Sequence, residues 1–168
     1  MQVLTGRVLI IVSAVLTFWF GTPYYCLATT FSLSGSDWFI HEDSSSTGVR
    51  QKFHEARVKE GGWLPARVPG NIPADLEENH LLGPLWYGAG DPRLGEVAKK
   101  DWWYRKDFTV PGGFLKERLT LVFDGVDFEC EVWLNGQRLG GHAGQFGRFE
   151  FDVSKVAKPG EVNHLAGC

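Results

Sequence analysis

Apolar and polar residues alternate with a period of two through much of the second half of the chain. In residues 103–110, the apolar residues Tyr104, Phe108 and Val110 share one side, and Arg105, Asp107 and Thr109 share the other. Residues 119–123 repeat the same alternation. Because successive side chains of a β-strand point to opposite faces, each run predicts a strand with one buried face.

Turn signals separate these runs. An alternating run over residues 128–134 ends at Asn135 and Gly136, a pair that predicts a two-residue β-hairpin. Residues 149–153 alternate again, and Val162 begins one more predicted strand. Regular short strands without intervening helices predict an all-β fold, either an antiparallel sandwich or a barrel.

The first half of the chain is less regular. Residues 29–40 predict two short strands around a turn, and residues 49–59 fit either a short helix or a strand. Residues 63–101 contain five of the eight prolines and predict a long structured loop. Within it, residues 73–79 fit one helical turn, since proline suits the first position of a helix. A loop of this length is typically functional or packed across a sheet.

An apolar, uncharged run over residues 8–21 precedes all of these elements. Cys26 and Ala28 place small residues at the two positions that a signal peptidase reads. The pattern predicts a signal peptide over residues 1–28, cleaved after Ala28, and therefore a secreted or periplasmic protein without a membrane segment after cleavage. An uncleaved membrane anchor is the alternative, and Pro23 disfavours it.

The amino-acid composition narrows the classes of function that fit this chain. The 168 residues are 43% hydrophobic and 14% aromatic, with 7 tryptophans and 21 glycines, which fits one globular β-rich domain. Surplus tryptophan is also typical of surfaces that stack on sugars. The net charge of −3 offers no basic stripe for nucleic acid. After leader removal only Cys130 and Cys168 remain, too few for a disulfide framework, and no histidine pair has a metal-ligand spacing.

Seven local patterns follow one another along the chain. They are Trp63-Leu-Pro-Ala-Arg-Val-Pro-Gly70, Asp75-Leu76, Tyr87-Gly88, Asp101-Trp-Trp-Tyr-Arg-Lys-Asp-Phe108, Leu121-Val-Phe-Asp-Gly-Val-Asp127, Val132-Trp-Leu-Asn-Gly136 and Phe149-Glu-Phe-Asp-Val153. Each is weak alone. In this order they closely resemble the N-terminal sugar-binding domain of glycoside hydrolase family 2, of the β-mannosidase and exo-β-glucosaminidase type. The resemblance covers residues 31–165 and implies a jelly-roll β-sandwich of galactose-binding-like topology.

The resemblance also implies where the chemistry of the family lies. Full-length members continue with an immunoglobulin-like domain and a (β/α)8 barrel, whose two glutamates perform retaining hydrolysis of O-glycosyl bonds. We therefore predict no catalytic residue, metal or cofactor here. Residues 29–168 are expected to form a sandwich that lacks its last strand or strands and packs on that catalytic barrel. A free-standing secreted lectin-like module is the alternative.

The sequence nominates six residues that face a sugar or the barrel: Tyr87, Asp101, Trp102, Trp103, Arg105 and Trp133. The expected ligand is a β-linked mannoside or glucosaminide, bound weakly if at all. Trp102 and Trp103 are neighbours on a strand and must face opposite sides. Either one of them is exposed and stacks on a pyranose ring, or both fill the interior.

The other candidate residues also have more than one interpretation. Trp133 is expected on the outer face of its strand, where it would pack on a partner domain. Tyr87, Asp101 and Arg105 border the long loop and could reach a sugar. Arg105 could equally pair with a carboxylate inside the domain.

Overall fold

The protein is an antiparallel β-sandwich. The structure, a computed structural model, describes residues 3–4, 8–15, 26–55, 61–85, 91–111, 118–145 and 147–168. Two antiparallel sheets enclose one main apolar core, so the all-β sandwich expected from the alternating patterns is confirmed. In the described ranges, no helix has both the length and the apolar character needed to cross a membrane.

The larger sheet has six strands. In spatial order they are β10 (Gln137–Ala143), β9 (Glu129–Leu134), β12 (Val162–Gly167), β7 (Asp101–Thr109), β4 (Gly35–Asp43) and β5 (Leu64–Val68). The strand β12 lies inside the sheet and pairs with both β7 and β9. Four strands form the opposite sheet, in the order β11 (Phe149–Asp152), β8 (Arg118–Phe123), β2 (Val8–Val15) and β3 (Cys26–Ser32). A short ribbon joins β1 (Val3–Leu4) to β6 (Gly70–Asn71).

The main core fills the space between the sheets. Side chains of alternating strand positions meet there, including Trp38, Ile40, Tyr104, Leu121, Leu134 and Leu165. The rings of Trp38 and Tyr104 meet edge to face, with 6.5 Å between centroids. Burying each large apolar side chain stabilises the fold by roughly 1.5–3 kcal/mol, which is why the alternation in the sequence translates into this packing.

The apolar run near the start of the chain supplies a strand of the smaller sheet. Within β2, Ile10 pairs with Leu121 of β8 and Phe31 of β3, and its side chain is fully buried. Ala28, after which cleavage is expected, lies within β3 opposite Ser13. The signal peptide remains a prediction, and the same residues complete the sandwich in this structure.

The hairpin expected from the sequence is present between β9 and β10. Asn135 and Gly136 have φ angles of 52° and 82°, the left-handed backbone that a two-residue hairpin turn requires. The Asn135 side chain also accepts a hydrogen bond from the His164 backbone and donates one to buried Asn163. The turn is therefore anchored to the strand next to it.

The proline-rich stretch is more regular than the loop expected for residues 63–101. Two strands, β5 and β6, and two helices, α1 (Ile72–Glu78) and α2 (Leu94–Val97), lie within it. The helical turn is confirmed, because the Asn71 side chain caps α1 through the Ala74 N–H. The loop prediction is wrong for β5, where Ala66 and Val68 alternate into the core.

The segment between β4 and β5 also differs from expectation. Residues 49–55 form consecutive turns, neither helix nor strand, and the remainder of the 49–59 prediction lies outside the described residues. Cys130 packs against the core as expected, and burial raises the pKa of its thiol to about 11.

Asp75 is a buried carboxylate in α1 whose charge destabilises the fold. One oxygen, Oδ1, accepts the Arg67 backbone N–H at 3.0 Å, and the other has no hydrogen-bond partner. Burial raises the pKa of Asp75 to about 6 and outweighs the Arg67 hydrogen bond. A raised folded-state pKa means that stability is greatest below the unfolded value and is lost as the pH rises towards 6.

Asp75→Asn is therefore expected to stabilise the protein by about 1–3 kcal/mol at pH 8, because the neutral amide keeps the acceptor for Arg67. The gain should shrink towards pH 4, where the carboxyl is protonated. Urea unfolding at both pH values measures it, with Glu77→Gln on the same helix as control. A variant less stable than the parent at pH 8 would contradict this account.

Candidate functional site

The outer face of the six-stranded sheet, which points away from the other sheet, is divided into two halves. Residues 47–55, here called the cap, fold over one half. The cap brings Phe53 down onto Trp103 of β7 and Trp133 of β9. No residue that the structure describes covers the other half, which is lined by β4 and β7 and forms a groove.

An aromatic cluster fills the space beneath the cap. Trp103 and Trp133 have ring centroids 4.9 Å apart, and Phe53 meets Trp103 edge to face at 5.9 Å. The His54 ring stacks on Trp133 at 5.7 Å. Trp63 packs against the edge of this cluster. The cap therefore has a small apolar core of its own, separated from the main core by the sheet.

Asp43 at the end of β4 holds the cap in place. Its carboxylate accepts the backbone N–H groups of Thr47 at 2.8 Å and Gly48 at 2.6 Å, and the Trp103 indole N–H at 3.1 Å. Burial raises the pKa of Asp43, but these three donors and the Ser45 backbone outweigh burial and hold that pKa below its usual value. A Cβ at Gly48 would lie 2.1 Å from the Trp103 indole nitrogen, so only glycine fits there.

The groove in the open half has a volume of about 460 Å³. Its lining residues are Asp37, Phe39, Trp63, Arg105 and Asp107. Phe39 and Arg105 are paired across β4 and β7, so their side chains stand next to each other on this face. The Phe39 side chain is exposed, and the Arg105 guanidinium lies over the Trp63 ring, 5.7 Å from its centroid.

Charges of both signs surround this groove. The Asp107 carboxylate contacts the His164 ring nitrogen Nδ1 at 2.7 Å and lies 3.9 Å from Arg105 Nε. On the other side, Asp37 forms an ion pair with Lys106, whose side chain is almost fully buried. The polar groups of the groove are thus held in place by neighbours within the domain.

The structure places the nominated tryptophans in the interior. Trp102 and Trp103 do face opposite sides, as predicted: Trp102 points into the main core and Trp103 lies under the cap. Trp133 is on the outer face, but the cap covers it. All three rings are at least 96% buried, so none offers a face to a sugar within the described part of the chain.

The remaining candidate residues that the structure describes, Asp101 and Arg105, lie at separate places on the domain. Asp101 accepts the Ser46 hydroxyl at 2.5 Å and lies away from the groove. Arg105 lines the groove. It also lies beside a carboxylate inside the domain, that of Asp107, which was the alternative considered for Arg105 in the sequence analysis. Tyr87 lies outside the described residues. The sequence nominated neither Phe39 nor Trp63, although Phe39 stands out as the apolar residue on the polar side of its alternating strand.

Comparison with known proteins identifies the family. Residues 41–166, three quarters of the chain, match the profile of the glycosyl hydrolase 2 galactose-binding domain-like family. The chain belongs to this family. A galactose-binding-like sandwich is thus confirmed, as the ordered motifs implied. The groove residues Trp63, Arg105 and Asp107 lie within the matched range, whereas Asp37 and Phe39 precede it.

Relatives of this galactose-binding-like domain are parts of longer glycosidases. It is 32% identical over 103 residues to β-mannosidase of Rattus norvegicus, which covers 61% of this chain and 12% of the relative. The β-D-mannosidase of Dictyoglomus thermophilum superposes with a TM-score of 0.65 at 32% identity, covering 80% of this chain and 15% of that one. A β-glucuronidase of Ruminococcus gnavus superposes with a TM-score of 0.59 at 22% identity, and the match covers 80% of this chain and 20% of that one. This likeness shows that the two proteins share the fold.

Proposed function

We propose that this chain is the non-catalytic N-terminal part of a β-mannosidase-type exoglycosidase. The observation that carries the proposal is the combination of 32% identity with a small share, 12% to 15%, of the β-mannosidase relatives' length. A domain of this size packs on a catalytic domain and helps to wall its substrate pocket. Hydrolysis itself needs two carboxyl groups about 5–5.5 Å apart across the scissile bond, which the barrel of the family supplies.

The first test is turnover by this chain alone. We expect no hydrolysis of aryl β-mannosides, because the domain contributes packing surface rather than a carboxylate pair. Activity that copurifies with the 18.8 kDa chain through two chromatographic steps would overturn the expectation. Transcript sequencing beyond the codon for Cys168 complements the assay. A continuing frame that encodes a barrel with two glutamates supports the proposal.

A free-standing lectin-like module is the second candidate, and the open groove beside Phe39 favours it. The two candidates differ in affinity, because a module that works alone must hold a glycan without help from a barrel. We expect the isolated chain to bind mannosides more weakly than submillimolar. A submillimolar dissociation constant in calorimetry would favour the lectin-like module.

We also propose export, with residues 1–28 as the leader. The uncharged apolar run and the small residues at Cys26 and Ala28 support this proposal. The protein recovered outside the cytoplasm should then begin at Thr29, which N-terminal sequencing determines.

A further inference from the structure

We propose that the groove in the open half of the outer face is a docking site for an arginine side chain of a partner protein. The guanidinium plane stacks on the Phe39 ring, and its N–H groups bind the carboxylates of Asp37 and Asp107. This interaction goes beyond the proposed function, since the ligand is a protein side chain rather than a glycan.

Two carboxylates and one aromatic ring stand together on the open half. Phe39 on β4 is paired with Arg105 on β7, and the next residues on the same face are Asp37 and Asp107. Like charges on neighbouring strands repel each other and weaken a sheet. The Phe39 side chain is also 45% exposed, although it lies in the middle of β4. Both features cost stability in the isolated domain, and a planar cation would relieve both.

The acidic groups of the groove are exposed to solvent, whereas its basic groups are not. The side chains of Asp37 and Asp107 are 69% and 49% exposed. Those of Lys106 and Arg105 are only 6% and 14% exposed. A ligand that enters the groove from solvent therefore meets carboxylates first, and these attract a cation.

Each carboxylate keeps one oxygen for a ligand. Lys106 contacts Oδ1 of Asp37. His164 contacts Oδ1 of Asp107 at 2.7 Å, and Arg105 Nε lies 3.9 Å from the same atom. The Oδ2 atoms of both carboxylates have no hydrogen-bond or ion-pair partner within the described part of the chain. A guanidinium has five N–H donors in one plane, so it can donate to two carboxylates at once.

The groove already contains one arginine that is held in a similar way. The Arg105 guanidinium lies over the Trp63 ring, 5.7 Å from its centroid, and beside the Asp107 carboxylate. Arginine suits such a place better than lysine, because its guanidinium is planar and more weakly hydrated than an ammonium group. Phe39 and Asp37 offer the same combination of ring and carboxylate, and no cation of the described residues lies over the Phe39 ring.

The partner is a protein, because this contact is weak by itself. Exposed ion pairs and exposed cation–π contacts each contribute little, so one arginine alone is expected to bind with a dissociation constant of about 1–20 mM. Within a larger protein interface, the same side chain acts as an anchor. Arginine is among the residue types most enriched at such anchors.

Nuclear magnetic resonance of the ¹⁵N-labelled full chain tests the site. The probe is the peptide acetyl-Gly-Arg-Gly-amide, and the reporter is the Trp63 indole N–H signal, assigned through Trp63→Phe. We expect a saturating shift with a dissociation constant of about 1–20 mM at low salt, and binding about threefold weaker in roughly 0.3 M NaCl. The indole signals of Trp38 and Trp103, which donate to Leu33 and Asp43 inside the protein, should stay in place and report an intact fold.

Two variants locate the guanidinium. Asp107→Asn should weaken binding about threefold or more, by loss of one charge, and Phe39→Leu about threefold, because leucine is apolar but has no aromatic face. Asp37 is left unchanged, because the buried Lys106 depends on it. The matched control is Glu150→Gln, at an exposed carboxylate of the other sheet, which should bind as the parent does. Equal losses in Asp107→Asn and Glu150→Gln would overturn the assignment to the groove.

Related ligands test the chemical class of the occupant. The same peptide with lysine in place of arginine should bind about threefold more weakly or worse, and the peptide with citrulline, which is planar but uncharged, should give no saturating shift. Equal binding of the lysine peptide would overturn the guanidinium assignment. Binding of agmatine alone below about 0.1 mM would make the groove a small-molecule site and overturn protein docking.

Two results would overturn the site as a whole. One is the absence of a saturating shift with about 50 mM arginine peptide. The other is a saturating shift with methyl β-D-mannopyranoside and none with the peptide, which would support the lectin-like module instead. Failure of the proposed function is judged separately, from hydrolysis by the chain and from the continuation of its transcript.

Discussion

Replacing Asp43 with alanine is expected to lower the free energy of unfolding by about 3 kcal/mol or more and to release the cap from Trp103. The substitution leaves two backbone N–H groups and one indole N–H without their acceptor, and each unpaired buried donor costs about 1–3 kcal/mol. Urea unfolding followed by tryptophan fluorescence measures the effect, because Trp103 and Trp133 would become exposed together.

The dependence of this effect on pH distinguishes it from a general packing defect. The pKa of Asp43 is lowered in the folded protein, so its stabilisation is present above the unfolded value of 3.8 and is lost as the pH falls below it. The difference in the free energy of unfolding between the parent and Asp43→Ala should therefore become smaller towards pH 3. Glu150→Ala, at an exposed carboxylate, should stay within about 0.5 kcal/mol of the parent. A difference that is constant with pH would contradict the role of the Asp43 charge.

Ile10→Ala is expected to destabilise the full chain by about 3 kcal/mol, because Ile10 is fully buried between Leu121 and Phe31. Ile11→Ala is the matched control. Its side chain points to the other face of β2 and is only partly buried, so we expect a loss near 1 kcal/mol. Thermal unfolding of the uncleaved chain measures both variants. Equal losses would contradict the placement of β2 in the sheet.

The same segment is the predicted leader, and the two roles exclude each other in one molecule. A chain that begins at Thr29 has neither β2 nor the first half of β3, so the edge of β8 loses its backbone partner. Such a chain should unfold over a broad temperature range and bind a hydrophobic dye. If the exported protein begins at Thr29, Ile10→Ala leaves its stability unchanged. If it begins at Met1, Ile10→Ala lowers its stability by the full expected amount.

Local patterns determined most of the strands. The alternation around Tyr104 and Leu121, and the turn at Asn135 and Gly136, depend on residues close in sequence, so they could be read without a structure. The family likewise followed from the order of short motifs. In the proline-rich stretch, the prolines predicted a loop. The structure instead has a strand there, because Ala66 and Val68 alternate into the core and their burial stabilises the extended backbone.

Only the tertiary structure decided which outer-face aromatics are covered. The alternation of apolar and polar residues places Trp103 and Trp133 on the face opposite the main core. It does not indicate what packs over them. The cap reaches them through Asp43, which binds Trp103 sixty positions along the chain. It stops short of Phe39, which leaves that ring exposed beside Arg105. The sequence by itself therefore determined the sandwich and its family, whereas contacts between distant segments determined where a ligand can reach it.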